Sequence, residues 1–118
     1  MSESSITIYH NPRCSKSRQA LQLIRESGVE PVVVEYLKTP PSSDELDGIL
    51  TKLKLEPIEL MRQKESIFRD LDLANRTLNR DEAIAVMIEN PVLIERPIVI
   101  KGSLAVIGRP PENVQELL

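Results

Sequence analysis

The chain is poor in the residues that usually announce a chemistry. Its 118 residues include one Cys, one His, one Phe, two Tyr and no Trp. A single Cys cannot close an internal disulfide, so the fold owes nothing to an oxidising compartment. One Cys and one His cannot supply the four ligands of structural zinc without carboxylates, and no metal is expected. With so few aromatics, the core must be built from Leu, Ile and Val. No apolar run approaches the ~18 residues that would read as a membrane span. The opening MSESSITIYH has no basic stretch followed by an apolar one, so no leader is expected and the cytoplasm is the natural location. Positive charge is not in excess either: 15 basic against 18 acidic residues leave a net charge of −3. That balance gives no broad attraction to nucleic acid or to an anionic membrane, so any anion must be met by a local cluster of cations.

What is present is ordinary for a globular chain of one domain, 41% hydrophobic and 28% charged. Ser5 to Tyr9 reads as a short strand and SKSRQALQLIRES, ending at Gly28, as a helix. Val32 to Tyr36 reads as a second strand, so continuously apolar that burial on both faces is expected. Two strands joined by a helix imply a parallel βαβ unit. After the loop KTPPSS, Ser42-x-x-Glu45 has the spacing of a capping box, and Leu46, Ile49, Leu50 and Leu53 share one helical face. Pro57 can open another helix. A third is expected from about Asp81 to Glu89, with Asn79 as its cap and Asn90-Pro91 as its stop. Pro97 to Ile100, the turn Lys101-Gly102-Ser103, and Leu104 to Ile107 read as an antiparallel hairpin. A last helix follows, with Val114, Leu117 and Leu118 on one side. The order is βαβ, a helical block, then ββα. The class is therefore α/β, a small mixed sheet covered by helices. With the block removed, it is the order of thioredoxin and glutaredoxin. A single domain over 1–118 is expected, with its core at about 5–37 and 92–118 and a helical insertion at about 42–90.

The one Cys and the one His lie together in YHNPRCSKSR, where the first strand gives way to the first helix. Cys14 could be an inert buried thiol, a metal ligand, half of a redox pair or a nucleophile. Ser17 stands where the second Cys of a C-x-x-C pair would be, which removes the local dithiol. At a helix start, a thiol faces unpaired N–H groups and the positive end of the helix dipole. Arg13, Lys16 and Arg18 add positive charge, and such surroundings favour a thiolate. His10 could stabilise that thiolate by charge or hydrogen bond, or could satisfy loop backbone groups. Ser15 and Ser17 could donate to the sulfur or simply cap the helix. Arg62, Arg96 and Arg109, in LMRQK, ERPIV and IGRPP, could be surface residues or anion ligands.

Together YHNPRCSKSR, LMRQKE, ERPIVI and IGRPP resemble the glutaredoxin-dependent arsenate reductases of the ArsC family, in order and over nearly the whole chain. The resemblance implies a thioredoxin-like fold with a helical insertion between its halves. It implies Cys14 as nucleophile, His10 as its catalytic neighbour, and Arg62, Arg96 and Arg109 as oxyanion-binding residues that converge on the sulfur. Ser17, Arg18 and Pro97 take supporting places, with Pro97 at the point where thioredoxin-like folds carry a cis-proline. The implied reaction joins Cys14 to arsenate as a thioarsenate, with electrons from glutathione and glutaredoxin, no bound cofactor, and a monomeric protein. This loop differs from well-known plasmid-encoded members, where Arg13, Ser15 and Lys16 are replaced by smaller, uncharged residues. A glutathione-dependent thiol reductase of the same fold, acting on another substrate, is the alternative. A regulator like Spx is disfavoured by Ser17. The phosphatase-like reductases need C-x5-R, and position 20 here is Ala20.

Overall fold

The computed structural model describes residues 5–118. The chain folds as two compact units, one from the residues up to Thr39 together with Arg96–Leu118, the other from Pro40–Glu95.

The first unit is a thioredoxin-like fold built on a four-stranded sheet, order β2-β1-β3-β4. β1 (Ile6–His10), α1 (Ser15–Glu26) and β2 (Val32–Glu35) form the βαβ unit, with β1 and β2 parallel. β3 (Ile98–Lys101) pairs antiparallel with β1, and β4 (Leu104–Ile107) antiparallel with β3. Gly102 has φ +59°, as the first residue of a two-residue hairpin loop, a position glycine fills without a Cβ penalty. One face of the sheet packs Ile6, Ile8 and Val99 against Ala20 and Ile24 of α1 and against Val114 and Leu117 of a closing 3-10 helix, Pro111–Leu117. Burying each such Ile, Leu or Val contributes about 1.5–3 kcal/mol, which is what holds α1, and therefore its N-terminus, in place.

Two expectations fail in this unit. β2 is not buried on both faces: it is an edge strand, and Val32 is 58% exposed. An apolar run alone cannot tell edge from centre. Leu118 is 43% exposed and does not join Val114 and Leu117. The closing helix is 3-10, so residues three apart eclipse one another; Pro111, Val114 and Leu117 share the buried side, and Leu118 falls off it.

The second unit is helical. α2 (Ser43–Leu53) starts at a complete capping box: Ser42 Oγ accepts from the Glu45 amide at 3.1 Å, and Glu45 Oε1 accepts from the Ser42 amide at 2.8 Å. It buries Leu46, Ile49 and Leu50. α3 (Pro57–Leu60) is a single turn begun by its proline. α4 (Ser66–Asp70) and the 3-10 turns Leu73–Asn75 and Pro91–Leu93 are too short to leave a periodic pattern and have no counterpart in the sequence reading. α5 (Arg80–Glu89) also begins at a capping box, Asn79 with Glu82. An antiparallel bridge, Met61 with Ile94, ties the segment after α3 to the end of the unit. The Arg62 amide donates to Leu93 O at 2.7 Å and the Glu95 amide to Leu60 O at 2.9 Å.

Candidate active site

The loop between β1 and α1 is organised by Asn11, a buried residue that sequence reasoning passed over. Its Oδ1 accepts from the Arg13 amide at 3.0 Å, and its carbonyl accepts from the Cys14 amide at 3.0 Å. Its own amide donates to Ser17 Oγ at 3.1 Å. The Asn-Pro pair was the available signal, since Asn before Pro favours a turn. Arg18 closes the loop from the helix side, its Nη1 donating to Pro12 O at 2.9 Å. Cys14 is thereby held as the N-cap of α1, in an extended conformation with φ −92° and ψ 122°, its thiol partly exposed.

Arg96 and Arg109, which belong to the same unit as Cys14, approach that thiol. Arg109 Nη1 lies 3.9 Å from Cys14 Sγ. Arg96, half-buried, acts on the same sulfur, lowering its pKa by hydrogen bonding and by charge. The Arg96–Pro97 peptide is cis, as expected, and Arg109–Pro110 is cis as well. Arg62 belongs to the helical unit, where its guanidinium is already engaged by two carboxylates: Nε with Glu65 Oε2 at 3.2 Å and Nη1 with Glu95 Oε1 at 2.8 Å.

The sulfur's acidity is a balance. Burial pushes the thiol up, but the Ser17 amide, the Arg96 guanidinium and the Lys16 amide together outweigh it, and Cys14 lies below its ordinary value. Arg96 shows the reciprocal effect. Burial would lower its pKa, while the Cys14 sulfur and the Tyr36 hydroxyl raise it, with a net rise. Tyr36, at 1% exposure, is thus part of the arrangement, though the sequence reads only as the end of a strand.

His10 is placed against Ser17. Its Nδ1 lies 2.6 Å from Ser17 Oγ, both side chains buried. Burial, then the Arg25 and Arg18 charges, lower its pKa against the opposing pull of Glu35, so the ring is neutral at pH 7. It steadies Ser17 and the first turn of α1 and brings no positive charge to the sulfur. Ser17 Oγ is engaged by both His10 and the Asn11 amide. Among the described residues no group of three or more His, Cys, Asp or Glu could hold a metal ion.

A lone thiolate between two guanidinium groups can attack an electrophilic centre carried by an oxyanion, because the arginines offset the repulsion between two negative species. The first consequence is measurable without any substrate. Alkylation of Cys14 by iodoacetamide is expected to show a pH midpoint below the ~8.5 of a free thiol. A midpoint at or above that value would show that the amides and guanidiniums do not outweigh burial.

A protein-family model described as "ArsC family" matches residues 9–117. The uncharacterized protein YfgD of Escherichia coli (strain K12) is 50% identical over 114 residues, 96% of each chain. An arsenate reductase of Haemophilus influenzae is 44% identical over 115 residues, 97% of this chain and 99% of the other. The solved structure of an arsenate reductase from Vibrio cholerae superimposes with a TM-score of 0.93 at 46% identity, covering 98% of both chains.

Proposed function

The chain belongs to the ArsC family, and from that premise we propose that it reduces arsenate to arsenite, with Cys14 as nucleophile. The observation that carries the reading is the convergence of Arg96 and Arg109 on the one thiol of the protein. Guanidinium groups stay charged and bind tetrahedral oxyanions through paired hydrogen bonds, so these two arginines hold arsenate for attack. The Cys14 thiolate bonds to arsenic and a hydroxyl leaves as water after protonation, giving a thioarsenate. Reduction of As(V) to As(III) then needs two electrons, and the protein has a single thiol. A glutathione thiolate supplies the second sulfur. It attacks Cys14 Sγ, the sulfur–arsenic bond breaks, its electron pair stays on arsenic, and arsenite departs. The resulting Cys14–glutathione disulfide is reduced by glutaredoxin. His10 and Ser17 keep the first turn of α1 in position through these steps. Arg62 enters as a third oxyanion ligand on the resemblance alone, and Glu65 and Glu95 already balance its charge.

The test is arsenite production by the purified protein with arsenate, in parallel with glutathione plus glutaredoxin and with thioredoxin plus its reductase. Arsenite is expected in the first mixture only. Arsenite in the thioredoxin mixture would keep the substrate and discard the electron route. No arsenite in either would discard arsenate and leave a thiol oxidoreductase of another substrate.

A further inference from the structure

The residue immediately before Arg109 is a glycine for which the local backbone gives no reason. Gly108 is buried and has no positive φ, so conformational freedom does not explain it. Its surroundings do. A Cβ built on Gly108 would stand 2.8 Å from Pro97 Cγ, 3.3 Å from Ala20 Cβ and 3.3 Å from Val114 Cγ1. The hairpin register brings this about. Ile98 pairs with Ile107, so the next pair outward sets Pro97 beside Gly108, and the Gly108 amide donates to Pro97 O at 2.9 Å.

Three segments meet at this point, and each carries one member of the reactive group. Ala20 lies on α1, six residues after Cys14; Pro97 follows Arg96; Gly108 precedes Arg109. We infer that Gly108 is a positioning residue: the absence of a side chain there sets how closely Arg96 and Arg109 approach the Cys14 sulfur. The inference rests on the proposed role of Cys14. A methyl group at 108 cannot be absorbed by a flexible side chain, because the nearest atom belongs to a proline ring. Either Pro97 moves, and Arg96 with it, or the 108–109 backbone moves, and Arg109 with it. The other charges near Cys14 in the sequence, on Arg13, Lys16 and Arg18, sit on the loop and the first turn of α1, which meets this contact through Ala20 at 3.3 Å and not at the closest approach, the Pro97 ring at 2.8 Å.

The test compares Gly108→Ala, Val114→Ala and the double variant by three measurements: thermal stability, the pH midpoint of Cys14 alkylation, and KM for arsenate. Val114→Ala opens a cavity in the same cluster without pressing on Pro97. It is expected to lower Tm and leave the midpoint at the wild-type value. Gly108→Ala is expected to raise the midpoint and to raise KM several-fold. Should it not fold, the double variant offsets the added volume while keeping the methyl group against Pro97, and the same rise is expected there. Gly108→Ala or the double variant with both a wild-type alkylation midpoint and a wild-type KM would overturn the inference and leave Gly108 a packing residue only; a raised KM at an unmoved midpoint would mean that Arg109, not Arg96, is the arginine displaced. The alkylation measurement needs no arsenate, so it separates failure of this inference from failure of the arsenate reading.

Discussion

Cys14→Ser is expected to abolish arsenite production while leaving the protein as stable as before or more so at acidic pH. The loss follows from the chemistry. A serine hydroxyl at this site stays protonated and cannot form the adduct or the mixed disulfide, and removal of an essential nucleophile costs on the order of 10⁴–10⁶ in kcat. The stability effect follows from position. Cys14 is the N-cap of α1, but its side chain makes no capping hydrogen bond, and serine is among the residues that cap best. A serine hydroxyl reaching the amides of the first turn gains up to about 1 kcal/mol. The pH dependence has a definite sign. The folded thiol lies below its unfolded value, so its contribution to wild-type stability is complete above the unfolded pKa and is lost as pH falls through the folded one. The Tm of Cys14→Ser relative to wild type is therefore expected to be most favourable at acidic pH and to decline towards alkaline pH. Thermal unfolding across that range, with an arsenite assay on the same samples, measures both. Residual turnover of more than a few per cent would remove Cys14 as the nucleophile.

The two arginines at the sulfur are expected to separate under substitution by lysine. Arg96 is half-buried and acts on the thiol by hydrogen bond and by charge, whereas Arg109 is exposed, with its Nη1 3.9 Å away. Lysine keeps the charge and loses the fork, and a hydrogen bond to a charged group is worth about 1.5–3 kcal/mol, roughly ten- to hundredfold in affinity or rate. Arg96→Lys is expected to raise the alkylation midpoint of Cys14 and to lower kcat/KM by about that factor. Arg109→Lys is expected to leave the midpoint almost unmoved and to raise KM for arsenate, since its role is with the oxyanion. Steady-state kinetics and the alkylation profile on the two variants decide the matter. An Arg109→Lys midpoint displaced as far as that of Arg96→Lys would mean that the exposed guanidinium controls the thiolate as strongly as the half-buried one.

The local signals carried a good part of this molecule. The capping box at Ser42, the cap at Asn79, the stop at Gly28 and the hairpin around Gly102 depend on residues a few positions apart, and the chain itself supplies those neighbours. The same holds for Cys14 at the head of α1, because a strand end, a turn residue and a helix start are all written within YHNPRCSKSR. Arg96 and Arg109 were marked by their motifs, and the fold brought both to the thiol.

What only the tertiary structure decided are relations between distant segments. Whether Val32 is buried depends on strand order, which places β2 at an edge. His10 faces Ser17, seven residues on, and its burial there lowers its pKa. Arg62 has an anionic partner 33 residues away in Glu95, supplied by the Met61–Ile94 bridge. Tyr36 acts on Arg96, and Gly108 owes its missing side chain to Pro97, Ala20 and Val114. Sequence by itself determined which residue types stand at the head of α1 and which turns and caps hold each element, because hydrogen bonds along the chain span only a few residues. Which charges remain available, and how close two guanidiniums come to one sulfur, were settled by packing, since distance and burial exist only once separate segments have come together.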